Sequence, residues 1–363
     1  MPHSHCGGQG FKSLRIHFQK SYFLFIKSNA MEDERALKIA FRNILKMGNK
    51  SNTYKFALAK FLLEYSNKFT YDELKSAVKI KKSFDVQYSQ IAKFFLKFYW
   101  HQECKYRIQH SDPKYTPNVI QSIRKHFGTK YISKTLDKVE NSKEKTVKTL
   151  SEIEKNVFGK KANKTSNVVP RFHTVTNQNY TDMFFKNKEN DRKIILDAQI
   201  VNFLKENHAL LMDSVLLHCA IFLEKRNKIP RLIQKIDTGD VSRTPINKKF
   251  ITLFSEQKTC FYCPQKLEKA KTHVDHFIPW SYVFENDPWN MVLACDRCNL
   301  KKSHSLSAGF LNKLLKRNET QNKIPGDLQN SLLKLSFGGE WKKEIKLLYS
   351  NCKDSGFPEI KLP

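Results

Sequence analysis

The sequence predicts a mainly α protein: helical N-terminal and middle regions, then a small metal-stapled ββα module near the C-terminus. Three observations predict it. Apolar residues recur at helical spacing through much of residues 31–250. Two Cys-x-x-Cys pairs stand thirty-one residues apart. Between the pairs lie two short runs that read as strands, and a helix opens directly after the second pair. With 363 residues, 40% of them hydrophobic, the chain has room for two or three globular domains.

The elements follow in order. Residues 1–30 are basic and carry a short apolar run, Tyr22-Phe23-Leu24-Phe25-Ile26. That run is too short for the core of a signal peptide. Met31 begins Met-Glu-Asp-Glu-Arg-Ala-Leu, which reads as a natural N-terminus leading into a helix, so residues 1–30 are expected to be a disordered extension or a misassigned start. Residues 31–132 read as a helical domain with possible DNA binding. Tyr54, Ala57, Leu58, Phe61, Leu62 and Tyr65 form one apolar stripe. Thr70 and Glu73 have the spacing of a capping box. Ile91, Phe94, Phe95, Phe98 and Tyr99 mark another helix. Residues 113–126 suggest a short basic helix whose Arg124 and Lys125 either meet phosphates or are simply solvated.

Residues 133–170 are Lys- and Glu-rich and read as a linker, with a thin stripe at Val147, Leu150, Ile153 and Val157. Residues 171–250 read as a helical scaffold. Arg171-Phe172-His173-Thr174-Val175 is a candidate strand within it, and Ile229-Pro230-Arg231-Leu232 places a proline near a helix start. The cysteine-framed module spans 251–316, helical again after Ser303. Residues 317–363 complete the chain as a helical tail.

Sixty-four Lys and Arg oppose thirty-five Asp and Glu, a net charge of +29. A polyanionic partner would relieve that self-repulsion, since each phosphate neutralised releases a counterion. The competing reading is a Lys-rich solvated surface. No run of eighteen apolar residues and no basic amphipathic anchor stands out, so no membrane partner is expected. Eight cysteines, four of them in Cys-x-x-Cys pairs without an export signal, point to metal binding in a reducing cytoplasm. Cys6, Cys104, Cys219 and Cys352 are scattered and read as buried or incidental thiols.

Cys260, Cys263, Cys295 and Cys298 offer four soft thiolates. Such a set closes a tetrahedron and leaves no open position, which marks structural Zn²⁺. A redox role is the alternative, but no thioredoxin-like βαβ pattern surrounds the pairs. Between the pairs run His273-Val274-Asp275-His276-Phe277-Ile278-Pro279-Trp280-Ser281 and Trp289-Asn290-Met291-Val292-Leu293-Ala294. Asn299-Leu300-Lys301-Lys302-Ser303 follows on the helix.

On these residues the segment resembles the HNH endonuclease family, whose zinc-bearing members carry Cys-x-x-Cys before the first strand and Cys-x-x-Cys-Asn-x-x-Lys after the second. The match runs through Asp275-His276, Pro279, Ser281, Asn290, Cys295, Cys298, Asn299 and Lys302, about forty-five of the 363 residues. The runs Tyr54-Lys55-Phe56-Ala57-Leu58 and Ile229-Pro230-Arg231-Leu232 also resemble segments beside HNH domains of restriction-type nucleases. One departure is the loop 282–288, which lacks the Gly-Gly turn of many relatives.

The resemblance implies a ββα-metal fold and hydrolysis of phosphodiester bonds in DNA. Asp275 and Asn299 would bind a catalytic Mg²⁺ or another divalent cation through hard oxygen donors. His276 would act as general base, and an imidazole's ordinary pKa near 6.5 suits that task. Asn290 would orient the loop bearing His276. Lys302, with Lys301 and Arg297, would face phosphates. His273 would be a further metal ligand or would support the ligands from behind, with a structural role ranked above either. The implied protein is a restriction-type or anti-phage nuclease acting on double-stranded DNA, and symmetric cutting of both strands by a one-site enzyme would favour a homodimer. The rivals are a zinc module that binds nucleic acid without cutting it, a nuclease of a mobile element, and one acting on RNA.

Overall fold

The computed structural model describes residues 30–363 apart from 131, 133, 135, 140–141, 159–167, 176–177, 238–245, 247–248, 269–270, 322–325 and 338. The expected N-terminal extension, Ala30 excepted, and part of the expected linker, residues 159–167, therefore lie outside the described residues.

In chain order the main elements are α1 (Ala30–Met47), α2 (Tyr54–Ser66), α3 (Tyr71–Lys79), β1 (Ser83–Gln87), α4 (Tyr88–Cys104), α5 (Asn118–Phe127) and α6 (Ser142–Ile153). Then come β2 (Thr174–Val175), β3 (Gln178–Asn179), β4 (Lys186–Lys188), β5 (Lys193–Asp197), α7 (Ala198–Glu206), α8 (His208–Glu224) and α9 (Leu232–Ile236). The last part holds β6 (Thr272–His276), β7 (Met291–Cys295), α10 (Asp296–Lys302), β8 (Leu306–Ser307), α11 (Leu311–Gln321), α12 (Asp327–Ser336), α13 (Trp341–Asp354) and β9 (Glu359–Ile360). The mainly α class with small sheets is what periodicity predicts. No helix among the described residues is long and apolar enough to cross a membrane.

The chain forms two compact units, neither continuous in sequence. The first takes Met1–Lys50, Tyr54–Ile91 and Phe158–His218; the second takes Ser51–Thr53, Ala92–Val157 and Cys219–Pro363. These units cut across the boundaries that composition suggests at 132 and 170. The reason is a pairing invisible to local patterns: β1 runs antiparallel to β5, from Ser83 opposite Asp197 to Gln87 opposite Lys193.

In the first unit β5 is the central strand, between β1 and β4. The helix α2 is buried on all sides, with only Glu64 exposed among its thirteen residues. A single stripe understates it, because a helix apolar all round belongs in a core. Its Lys55 donates to the Thr174 carbonyl at 2.5 Å, and burial with Lys50 and Arg171 nearby pushes its ammonium down to about 8. The capping box at α3 forms as expected. Thr70 Oγ1 accepts from the Glu73 amide at 3.3 Å, and the Glu73 carboxylate accepts from the Thr70 amide at 2.6 Å.

In the second unit α5 packs on α6. Arg124 lies on Glu103 at 2.6 Å, and Lys125 pairs with Glu152. Both basic residues are engaged in ion pairs within the fold. The segment after Ser303 differs from the continuous helix expected there. Ser303 takes a positive φ of 47°, and β8 pairs in parallel with β9 before α11 begins. Residues 317–363 belong to the body of this unit. Tyr349 of α13 stacks on Phe277 with ring centroids 5.9 Å apart and donates to the Ser307 carbonyl at 3.1 Å.

Candidate metal centre and active site

The two cysteine pairs meet because β6 and β7 pair antiparallel, with Thr272 opposite Cys295 and His276 opposite Met291. Cys260 and Cys263 sit on a turn closed by a Thr259–Lys266 bridge. Cys295 ends β7 and Cys298 lies in the first turn of α10. The four sulfur atoms lie within 4.8 Å of one another, and Cys263 Sγ is 3.8 Å from Cys295 Sγ. A tetrahedron of thiolates about 2.3 Å from zinc has edges of about 3.8 Å. The amides of Tyr262 and Cys295 both donate to Cys260 Sγ at 3.4 Å, which stabilises a thiolate there. The donor set and its spacing fit structural zinc.

Beside this cluster, alternation along β6 separates two chemistries. Val274 packs with Leu293 and Met291 on Phe250 and Phe254. Asp275, on the opposite face, reaches α10. Its carboxylate is 7% exposed and lies 3.1 Å from Lys302 Nζ. His276 follows at the end of the strand, also buried. The chain then bends, and Asn290 holds the bend. Its Oδ1 accepts from the Ile278 amide at 2.7 Å, its Nδ2 donates to the Ile278 carbonyl at 2.8 Å, and its carbonyl accepts from the Phe277 amide at 2.8 Å. Strand, bend, strand and helix thus bring Asp275 and His276 to the foot of α10.

Residues 260–305 match the family model for HNH endonuclease. This segment is an HNH domain. No curated protein and no solved structure matches the chain.

Within the HNH domain the Asn290 side chain spans the bend after His276. Asn299 is half-buried on α10, one helical turn before Lys302. Residues three apart share a helix face, so Asn299 is on the side of α10 whose Lys302 meets Asp275. A carboxylate and an amide oxygen are hard donors suited to a divalent cation. Lys302 already sets one positive charge against the buried Asp275 carboxylate, so a divalent cation there would share that carboxylate with the ammonium. Arg297 and Lys301 are exposed, four residues apart on one face of α10, and open to an anion. His273 is partly exposed and lies 3.3 Å from Asp296 Oδ1, tying β6 to the start of α10.

Lys302 requires a correction. It is fully buried, and its Nζ donates to the His276 carbonyl at 2.6 Å as well as pairing with Asp275. It therefore orders the Asp275-His276 corner and does not point at a phosphate. The motif's Lys spacing gives its helix face but not its partner.

Sequence reasoning also misses Tyr262, inside the first cysteine pair. Its hydroxyl donates to Asp275 Oδ2 at 2.7 Å. Burial, together with the Asp275 carboxylate, pushes that hydroxyl well above the ordinary phenol range, so it stays a donor. Arg317 and Asn318 of α11 are missed as well. Arg317 donates to the carbonyls of Met291 at 2.8 Å and Trp289 at 3.1 Å, and Asn318 Nδ2 to that of Trp289 at 3.0 Å. They brace Asn290 from both sides. No local pattern marks them, because α11 lies outside the motif.

The Lys302–Asp275 pair carries a prediction. Lys302→Met leaves the buried Asp275 carboxylate without its ammonium, keeping the neutral Tyr262 hydroxyl as a donor. Breaking a buried pair costs about 3–5 kcal/mol. The zinc-loaded variant is expected to melt well below wild type, and added Mg²⁺ is expected to restore part of the loss. A Lys302→Met melting midpoint equal to that of wild type would sink the pairing.

Proposed function

We propose that this protein is a metal-dependent HNH endonuclease that hydrolyses phosphodiester bonds in double-stranded DNA, working in restriction or anti-phage defence. The observation that carries the reading is the buried Asp275-His276 corner, held against α10 beside a four-cysteine cluster. A module that only bound nucleic acid would need neither the buried carboxylate nor the braced imidazole. The +29 charge supports a polyanionic substrate.

The chemistry divides among the residues. Asp275 and Asn299 would hold a divalent cation, which when bound supplies charge neutralisation at the phosphate and leaving oxygen. His276 takes the proton from the attacking water. Asn290 keeps the bend after His276 in shape. Lys302 and Tyr262 hold the Asp275 carboxylate in one orientation. Arg297 and Lys301 meet the flanking phosphates on the exposed face of α10.

Supercoiled plasmid or phage DNA incubated with the full chain and Mg²⁺ is the direct test. The expected result is divalent-dependent cleavage leaving 5′-phosphate and 3′-hydroxyl ends, with sequenced ends reporting site preference and stagger. Binding of DNA with no cleavage under any divalent cation would favour the non-catalytic zinc module. Cleavage of RNA alone would move the substrate.

A further inference from the structure

The loop between His276 and β7 is tied down at every step. Phe284 turns the chain with φ 57°, a left-handed conformation that costs a phenylalanine more than a glycine. Glu285 pairs closely with Arg231 and lies 3.6 Å from Lys334. Asp287 lies 3.6 Å from the same Lys334. Two residues before Phe284, the Tyr282 carbonyl accepts from Lys235 Nζ at 2.7 Å. Lys235 is buried, also donates to the Pro230 carbonyl, and sits 4.6 Å from the Phe284 ring centre. The run Ile229-Pro230-Arg231-Leu232 and helix α9 thus clamp residues 282–285, while α12 holds 285 and 287.

Between those clamped acids stands Asn286, whose Oδ1 is 2.9 Å from His276 Nε2. We propose that Asn286 is the positioning residue of the active site, accepting the Nε2 proton of His276 so that the ring's basic lone pair is at Nδ1. The clamp explains why so many charges converge on a short loop with no glycine. An imidazole is useful as a base only with its proton on the correct nitrogen, and the partner of one nitrogen decides the state of the other. The clamp from Arg231, Lys235 and Lys334 holds the chain on either side of Asn286, which keeps its Oδ1 within reach of the ring. The inference rests on the proposed role of His276 as base, and assigns the group that sets its tautomer.

The test reads the ring directly. Full-length, zinc-loaded protein carrying ¹⁵N-histidine is examined at about pH 8, where an ordinary imidazole is neutral. His276 is assigned by comparison with His276→Gln. The proposal expects the Nε2-protonated form to dominate in wild type and in Asn286→Asp, which keeps an acceptor. Asn286→Leu is expected to show a mixture of tautomers and a kcat for DNA cleavage lower by about 10²-fold, the scale of a misplaced catalytic group. KM should hold, and Asn286→Asp should recover most of the rate. An Nδ1-protonated ring in wild type overturns the proposal whatever the variants do. So does a folded Asn286→Leu with wild-type tautomer and rate. If wild type shows the expected tautomer and cuts no nucleic acid, the nuclease reading fails and the Asn286–His276 assignment stands.

Discussion

His276→Ala is expected to lower kcat for DNA cleavage by about 10³-fold, with KM and DNA affinity nearly unchanged. His276 ends β6, next to the Asp275 carboxylate, and its carbonyl is held by Lys302 at 2.6 Å. The backbone at this corner is fixed by groups that alanine does not remove: Lys302 on the carbonyl, and Asn290 on Ile278. The variant therefore loses the ring and keeps the scaffold. The phosphate contacts proposed for Arg297 and Lys301 are also left in place, so binding should survive. Single-turnover cleavage of a plasmid, with DNA affinity measured separately, checks the split. Loss of affinity in step with loss of rate would mean that His276 binds substrate rather than accepting a proton. Equal cleavage by variant and wild type would remove it from the mechanism.

How much of this was legible in the sequence depends on the range of the signal. The cysteine spacing announces a closed thiolate cluster, because each Cys-x-x-Cys turn is local and its chemistry is specific. Asp275, His276 and Asn290 are legible because two short antiparallel strands bring them together through adjacent residues. Lys302 is half legible. Its spacing from Cys298 places it on α10, but which group it meets depends on how far α10 tilts onto β6. Tyr262, Asn286, Arg317 and Asn318 are not legible. Each acts across a gap set by packing, and each belongs to a type that is common on any surface. The same holds for the fold. The α3 capping box lies within four residues and is readable, whereas the β1–β5 pairing joins strands more than a hundred residues apart and leaves no local trace. The run Ile229-Pro230-Arg231-Leu232 is an intermediate case: it reads as a helix start, and its contacts with residues 282–285 appear only in three dimensions.

Removal of the zinc staple should have the largest effect on stability. Cys298→Ser is expected to abolish stoichiometric zinc binding and unfold the HNH domain, because a structural site contributes on the order of 10 kcal/mol of folding free energy at neutral pH. Cys298 is buried against the other three cysteines, and burial with those thiol neighbours pushes its own thiol up. Those contacts cannot replace metal–sulfur bonds. The β6–β7 pair is short, only five residues a side, and two-stranded ribbons of this length are marginal alone. Cys352→Ser provides the contrast. That thiol is equally buried but lies outside the cluster, so its loss should leave zinc content unchanged. Zinc stoichiometry read beside hydrogen-exchange protection of β6 and β7 distinguishes the two. If Cys298→Ser kept wild-type protection in both strands, the ribbon would be held by its apolar contacts with Phe250 and Phe254, and the cysteines would need another role.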